Sequence, residues 1–287
     1  MSTLALRALS KRPATSLRPL QALISQRGVS GTRLNNKPSL SHQTDTSMSS
    51  VLPPPPPPPK MSFQDIFAAS QGEHQGVWKN LWDKGTYHYW DRGQASPSLV
   101  DFLRDHPDLF QPSKTPLTAL VPGCGRGHDV NLFADLGMQA YGLELASSAT
   151  DIAREFSETI PPPPAPGSRS YITGDFFSNE WLNRLDTKQF DLVYDYTFMV
   201  ALDPAKGLRE QWAERVAGLI KPGGILICLE FPLYKAYDLP GPPWAIRSET
   251  YMGLLESVGF ERVHHEKPRR YLPAGKDTDM ISAWRRK

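Results

Sequence analysis

Leu120-Val121-Pro122-Gly123-Cys124-Gly125-Arg126-Gly127-His128-Asp129 is the stretch that decides how the chain folds. An apolar run from Leu117 to Val121 meets three alternating glycines and then a helical pattern, the order of a strand, a tight backbone loop and a helix N-terminus. Bare glycine backbone lets a ligand approach the main chain. A second strand signal, Met138 to Leu143, ends at Glu144, 21 positions after Gly123. A Rossmann-like fold holds a carboxylate there against ribose hydroxyls. The dinucleotide rule is G-x-G-x-x-G, whereas here the third glycine comes one place early and His128 stands where that rule puts glycine. No Lys-Ser/Thr follows, which excludes a P-loop.

Downstream, strand and helix signals alternate, which predicts a parallel sheet with helices on both faces. Asp129 to Leu136 reads as a helix stopped by Gly137, and Ser148-Ala149-Thr150-Asp151 as the cap of the next, which ends at the Pro161 to Pro164 loop. Strands follow at Ser170 to Thr173 and Phe190 to Asp195, a helix at Lys206 to Ile220, a turn at Lys221-Pro222-Gly223-Gly224 and a buried strand at Ile225 to Leu229. A helix over Ser248 to Val258 and strands over Phe260 to His265 and Met280 to Trp284 end the chain as a hairpin. Upstream, Phe63 to Ala69 and His74 to Asp83 read as helices, with Trp78 and Trp82 on one face. An aperiodic aromatic segment, Thr86 to Gly93, comes next, and Ser96-Pro97 opens a further helix as N-cap and first-turn proline.

Composition separates a leader from a body. Of the 32 Lys/Arg and 30 Asp/Glu, residues 1–60 hold eight basic residues and one acid, Asp45, so the body from Met61 onward is near −5 although the whole chain is +2. Residues 1–60 are expected to be a disordered leader and 61–287 one domain, with residues 61–97 as an aromatic lid. Arg7, Lys11 and Arg18 fall on one helical face and Leu6, Leu9, Leu17 and Leu20 on another, with no acid before Asp45. That is the pattern of a mitochondrial presequence. A tail with no address is the alternative, and translation from Met48 or Met61 gives a cytoplasmic form. Pro53 to Pro59 reads as a polyproline II spacer. No apolar run is long enough to cross a membrane, and neither Cys124 nor Cys228 is expected in a disulfide.

In an open α/β sheet the ligand lies beyond the carboxyl ends of the strands. That rule selects Gly123 to Gly127, Glu144, Asp175-Phe176 and Asp195-Tyr196. Two carboxylates, an aromatic and bare backbone suit a nucleoside. The bland alternative has Glu144 capping a helix and Asp175 closing a turn.

G-x-G-x-G with a downstream acid resembles the first motif of class I S-adenosylmethionine-dependent methyltransferases. Trp78-x-x-x-Trp82, Tyr89 to Pro97, Val121 to Val130 and Phe190 to Phe198 together resemble the thiopurine methyltransferase superfamily, and within it the plant and fungal halide/thiol (thiocyanate) methyltransferases. The resemblance runs from Gln75 to the C-terminus. It implies a mostly parallel seven-stranded sheet and S-adenosyl-L-methionine as cofactor. It also implies that Trp78, Trp82 and Trp90 close over the cofactor, Gly123 approaches its methionyl part, Glu144 holds the ribose, Asp175 and Phe176 hold the adenine, and Tyr196 borders the sulfonium. Tyr89 and Phe198 are expected to line the acceptor pocket. The thiopurine branch commonly has Arg where this chain has Tyr196, which disfavours thiopurine-like aromatic thiols.

Aromatic faces attract a sulfonium cation, and in-line methyl transfer gains from alignment and exclusion of water. A halide, thiocyanate or thiolate arrives anionic and needs no strong base. A neutral thiol must lose a proton, for which His88 or water is available, and no base is singled out. The acceptor is therefore expected to be a small thiol, bisulfide, thiocyanate or halide, with no metal, nucleic-acid or membrane partner. Two rivals remain at this stage: a methyltransferase for a larger dithiol or other secondary metabolite, and a non-catalytic methyltransferase-like binding protein. Nucleic-acid methylation is disfavoured by Asp195-Tyr196-Thr197-Phe198, which lacks the Pro-Pro of adenine-N6 enzymes, and by the acidic body.

Overall fold

The apolar run before the glycine loop forms β1, Thr118–Pro122, buried at every residue. Its alternation serves two cores: Ala119 and Val121 face one side of the sheet and Leu120 the other. The computed structural model describes residues 62–287 apart from Gln71, Gln111, Pro112, Lys114 and Lys276; the leader, its proline run and Met61 lie outside the described residues. After β1 come α4 (His128–Asp135), β2 (Gln139–Glu144), α5 (Ser147–Glu158), β3 (Ser168–Thr173), α6 (Glu180–Asn183) and β4 (Phe190–Tyr196). Then follow α7 (Leu208–Leu219), β5 (Ile220–Glu230), α8 (Ser248–Ser257), β6 (Phe260–Glu266) and β7 (Met280–Arg286). Before β1 stand α1 (Phe63–Ala69), α2 (His74–Asp83) and α3 (Pro97–Asp105).

The seven strands form one sheet in the order β3-β2-β1-β4-β5-β7-β6. β1 to β5 run parallel, and β7 is antiparallel to both β5 and β6. This is a class I methyltransferase-type Rossmann-like α/β sheet, and the order reverses between β1 and β4. Leu99, Phe102, Leu103, Val130 and Phe133 cover one face; Trp181, Trp212, Val216, Tyr251 and Leu255 cover the other. The strand ends that carry a ligand in such folds therefore lie together, at the mouth of β2, β1 and β4.

Three local expectations are corrected. Lys221 to Gly224 is no turn outside the sheet: it bulges within β5, where pairing jumps from Phe190↔Ile220 to Leu192↔Ile225. The Lys221 ammonium bonds Asp191 across that bulge at 2.9 Å. Ser148 does not cap α5, which begins at Ser147; its hydroxyl donates to Asp83 instead. Ser96 stands at the N-cap of α3 ahead of Pro97, as expected, but its side chain makes no capping bond; its backbone N–H donates to Asp129. At Ser148 the hydroxyl serves a tertiary bond and not a local one.

Candidate active site

Three glycines shape the floor. Gly123, Gly125 and Gly127 all adopt positive φ, so the loop after β1 doubles back on itself before α4. At Gly123 (φ +58°) an added Cβ would lie 2.7 Å from the Phe198 ring, and at Gly125 (φ +55°) one would lie 3.9 Å from the Trp82 indole. Two aromatic rings thus approach the loop, one at each of these glycines. Thr197, at φ +68°, turns the chain between Tyr196 and Phe198. A left-handed β-branched residue costs on the order of 1–3 kcal/mol, so the rest of the fold must hold this turn in place.

Glu144 ends β2 and is 9% exposed. One carboxylate oxygen accepts the Gly125 amide at 2.9 Å and the other the Leu145 amide at 3.1 Å. Burial pushes its pKa up to about 7, against the pull of those two amides. Each oxygen keeps acceptor capacity beyond its single amide, which suits a pair of vicinal hydroxyls. At the end of β3, Asp175 closes a turn on the Phe177 amide at 3.0 Å and accepts from Gln75 at 3.3 Å. A cleft of about 340 Å³ lined by Thr173, Asp175, Ser178 and Arg184 opens beside it. Phe176 is buried, its ring against Phe177 and Phe198.

The aromatic cluster forms a roof. Trp90 meets Trp78 and Trp82 edge-on at 5.2 and 5.3 Å, and Phe63 joins Trp78 and Trp90 at 5.8 Å each. Trp82 is buried against Ala146 and Ala149 at the start of α5. Tyr89 is 44% exposed, with its ring near Phe63 and His88. Polar bonds tie this roof to three loops in the order of the sheet. Gln75 bonds Asp175 after β3; Asp83 accepts from Ser148 after β2; Asp91 accepts from Arg126 at 3.0 Å and His128 at 3.1 Å after β1. Gln75 and Asp83 had no sequence signal of their own. Asp91 sat in the aromatic segment, where an acid next to three aromatic residues was the available clue.

β4 separates its two candidates. Asp195 turns to the other face, buried, accepting from the Met199 amide and the Trp212 indole at 2.9 Å; burial raises its pKa to about 7. It supports the turn and does not line the mouth. Tyr196 faces the mouth, 6.0 Å from the Phe231 ring. Burial raises the Tyr196 phenol well above its ordinary range, the Asp279 charge adds to this, and Arg92 opposes it. Asp279 and Arg92 were not singled out by sequence; an acid in Asp-Thr-Asp before a strand reads as turn chemistry.

A bare loop, a half-satisfied buried carboxylate and an aromatic cover fit a nucleoside carrying a sulfonium. Comparison with known proteins agrees. The family model described as thiopurine S-methyltransferase (TPMT) matches residues 73–278, a span containing all of the site residues above except Phe63 and Asp279. Thiocyanate methyltransferase 1 of Arabidopsis thaliana is 32% identical over 74% of this chain and 85% of its own. Probable thiol methyltransferase 2 of the same plant is 33% identical over 70% and 81%. Among solved structures, magnesium protoporphyrin IX methyltransferase from Synechocystis with bound S-adenosylmethionine shares the fold, with a TM-score of 0.53 at 15% identity over 75% of this chain and 97% of its own. The chain is an S-adenosylmethionine-dependent methyltransferase and belongs to the thiopurine S-methyltransferase family.

Proposed function

We propose that the enzyme transfers the methyl group to a small soft nucleophile, a thiol or thiolate, bisulfide, thiocyanate or halide, by in-line displacement. S-adenosylmethionine supplies an electrophilic methyl group on a sulfonium. Glu144 holds the ribose, Asp175 and Phe176 the adenine end, and the glycine loop the methionyl part. Trp78, Trp82 and Trp90 form the cover, and Tyr196 and Phe198 line the acceptor side. The observation that carries this reading is the approach of aromatic rings to the glycine loop, Phe198 at Gly123 and Trp82 at Gly125. An aromatic enclosure attracts the cation by roughly 0.5–2 kcal/mol per ring and keeps water from the reacting sulfur. The printed names of the plant relatives, thiocyanate and thiol methyltransferases, support the same acceptor class.

Purified protein is to be incubated with methyl-labelled S-adenosylmethionine and, separately, iodide, thiocyanate, bisulfide, alkanethiols and aromatic thiols. Methylated product from at least one of them is expected. Cofactor binding with transfer to none would move the acceptor to a larger molecule; no cofactor binding would leave a scaffold protein. The leader is read as a mitochondrial address when translation starts at Met1, and a cytoplasmic form as the product of Met48 or Met61. A fluorescent fusion of residues 1–60 that stays in the cytosol would defeat that reading.

A further inference from the structure

Asp279 is 2% exposed, and neither carboxylate oxygen has a hydrogen-bond partner among the described residues. Buried carboxylates are normally paired or hydrogen-bonded, so one left bare asks for an occupant. The sheet fixes where it lies. Met280 pairs with Glu230, so Asp279 stands at the carboxyl end of β5, level with Phe231. Side chains alternate along β7, which puts Asp279 on the face of Ile281 and Leu229, the face that Tyr196 also packs on. Phe231 in turn lies against Tyr196.

The surroundings are asymmetric. On one side the Pro273–Gly275 turn abuts the carboxylate so closely that a Cβ on Gly275 would lie 2.2 Å from it, yet the turn donates nothing. On the other side Tyr196 of β4 and Tyr234 beyond β5 both feel its charge, and Arg92 of the roof acts on both tyrosines in the opposite sense. Glu230 of β5 is engaged elsewhere, with Ser248 and His265. The bare acid and the roof's cation thus act in opposite senses on the Tyr196 phenol, whose ring lies against Phe231 at the end of β5 where Asp279 stands.

We propose that Asp279 is the proton acceptor for a neutral thiol, and that the enzyme methylates neutral thiols in preference to preformed anions such as thiocyanate and iodide. This rests on the transfer to a small soft nucleophile proposed above and narrows it. The thiol S–H bond breaks toward an Asp279 oxygen, which keeps the proton. The electron pair left on that sulfur forms the new S–C bond, and the pair of the old methyl–sulfur bond neutralises the departing sulfonium. The Asp279 proton then passes to water. A preformed anion offers no proton and meets a like charge in a low-dielectric setting. Burial lifts the Asp279 pKa to about 6, so near neutral pH the group is ionised and more basic than an ordinary aspartate.

The test compares the full chain with Asp279→Asn and Asp279→Glu. In Asp279→Asn the ratio of kcat/KM for an alkanethiol to that for thiocyanate is expected to fall roughly 100-fold or more. The acidic limb of the wild-type thiol profile near pH 6 is expected to vanish. Asp279→Glu should recover part of the ratio. A readout independent of turnover is the infrared carboxylic-acid band of the cofactor-free protein, which should lose a component titrating near pH 6 in Asp279→Asn. An unchanged ratio, a retained acidic limb or an unchanged band overturns the proposal. Wild-type protein that methylates only the anions also overturns it while leaving the broader reading intact. Wild-type protein that binds S-adenosylhomocysteine and methylates none of them defeats the broader reading itself.

Discussion

The Asp91 carboxylate and the His128 ring nitrogen meet at 3.1 Å, joining positions 37 apart and fixing the roof to the glycine loop. Burial alone would raise the Asp91 pKa, but the His128 and Arg126 bonds and the Gly93 amide outweigh it and hold the group at about 2. A depressed carboxylate stabilises the fold above its ordinary value of 3.8, and the contribution is lost as pH falls through about 2. Asp91→Asn should therefore lower the unfolding free energy at neutral pH by about 2 kcal/mol. Matching denaturant midpoints at pH 7 would show that this bond contributes nothing.

Glu144 carries the opposite shift. Its pKa of about 7 means that the form best suited to accept two hydroxyl donors becomes complete only above neutrality. Affinity for S-adenosylhomocysteine should strengthen as pH rises from 6 to 8. Glu144→Ala should weaken it by about 10- to 100-fold, the worth of one or two hydrogen bonds to a charged group. Calorimetry across that range checks both, and an unchanged dissociation constant in the variant would remove Glu144 from the cofactor's contacts.

At Gly123 the left-handed backbone and the Phe198 ring forbid a methyl group independently. Gly123→Ala should cost about 1–2 kcal/mol of stability from the backbone alone. It should also push Phe198 out of place and abolish tight cofactor binding. Melting curves with and without S-adenosylhomocysteine separate the two effects: the variant should melt lower and gain little from ligand.

Tyr196→Phe keeps the ring that faces Phe231 and removes only the hydroxyl on which Asp279 and Arg92 act in opposite senses. Turnover should fall while the S-adenosylhomocysteine dissociation constant stays within about twofold. The reverse pattern, intact turnover with weakened binding, would make Tyr196 part of the cofactor cradle.

A bare carboxylate at Asp279 burdens the folded state whenever it is ionised. Its pKa is raised from 3.8 to about 6, so the destabilisation is complete above pH 6 and absent below pH 3.8. Asp279→Asn should therefore be more stable than the parent at pH 8, by about 1–3 kcal/mol, with the gap closing at low pH. Equal stability at pH 8 would mean that the carboxylate has partners in solution.

Periodicity and glycine spacing made the frame legible. α1 and α2 occupy the ranges their patterns predict, and the sheet has the predicted number of strands with β6 and β7 antiparallel, although β7 inserts between β5 and β6. Strand ends were legible because alternation and a following Gly or acid mark them, which is how Glu144, Asp175 and Tyr196 emerged. What escaped was tertiary. Ser148 and Ser96 carry the right residue types for caps, yet neither side chain caps its helix, and each residue donates to a distant carboxylate, Asp83 and Asp129. Asp279 escaped because its distinguishing property is the lack of a hydrogen-bond partner among the described residues, which no local pattern encodes.

Gln75, Asp83 and Asp91 are spaced by eight residues and touch the loops after β3, β2 and β1 in turn. The segment therefore meets the chain beyond three neighbouring strands in the order in which they lie in the sheet. The length of chain between the contacts is then as constrained as the contacts themselves. Removing one residue from 84–90 would leave Gln75, Asp83 and Asp91 all present, yet would draw Asp91 off the glycine loop while Gln75 and Asp83 stay engaged.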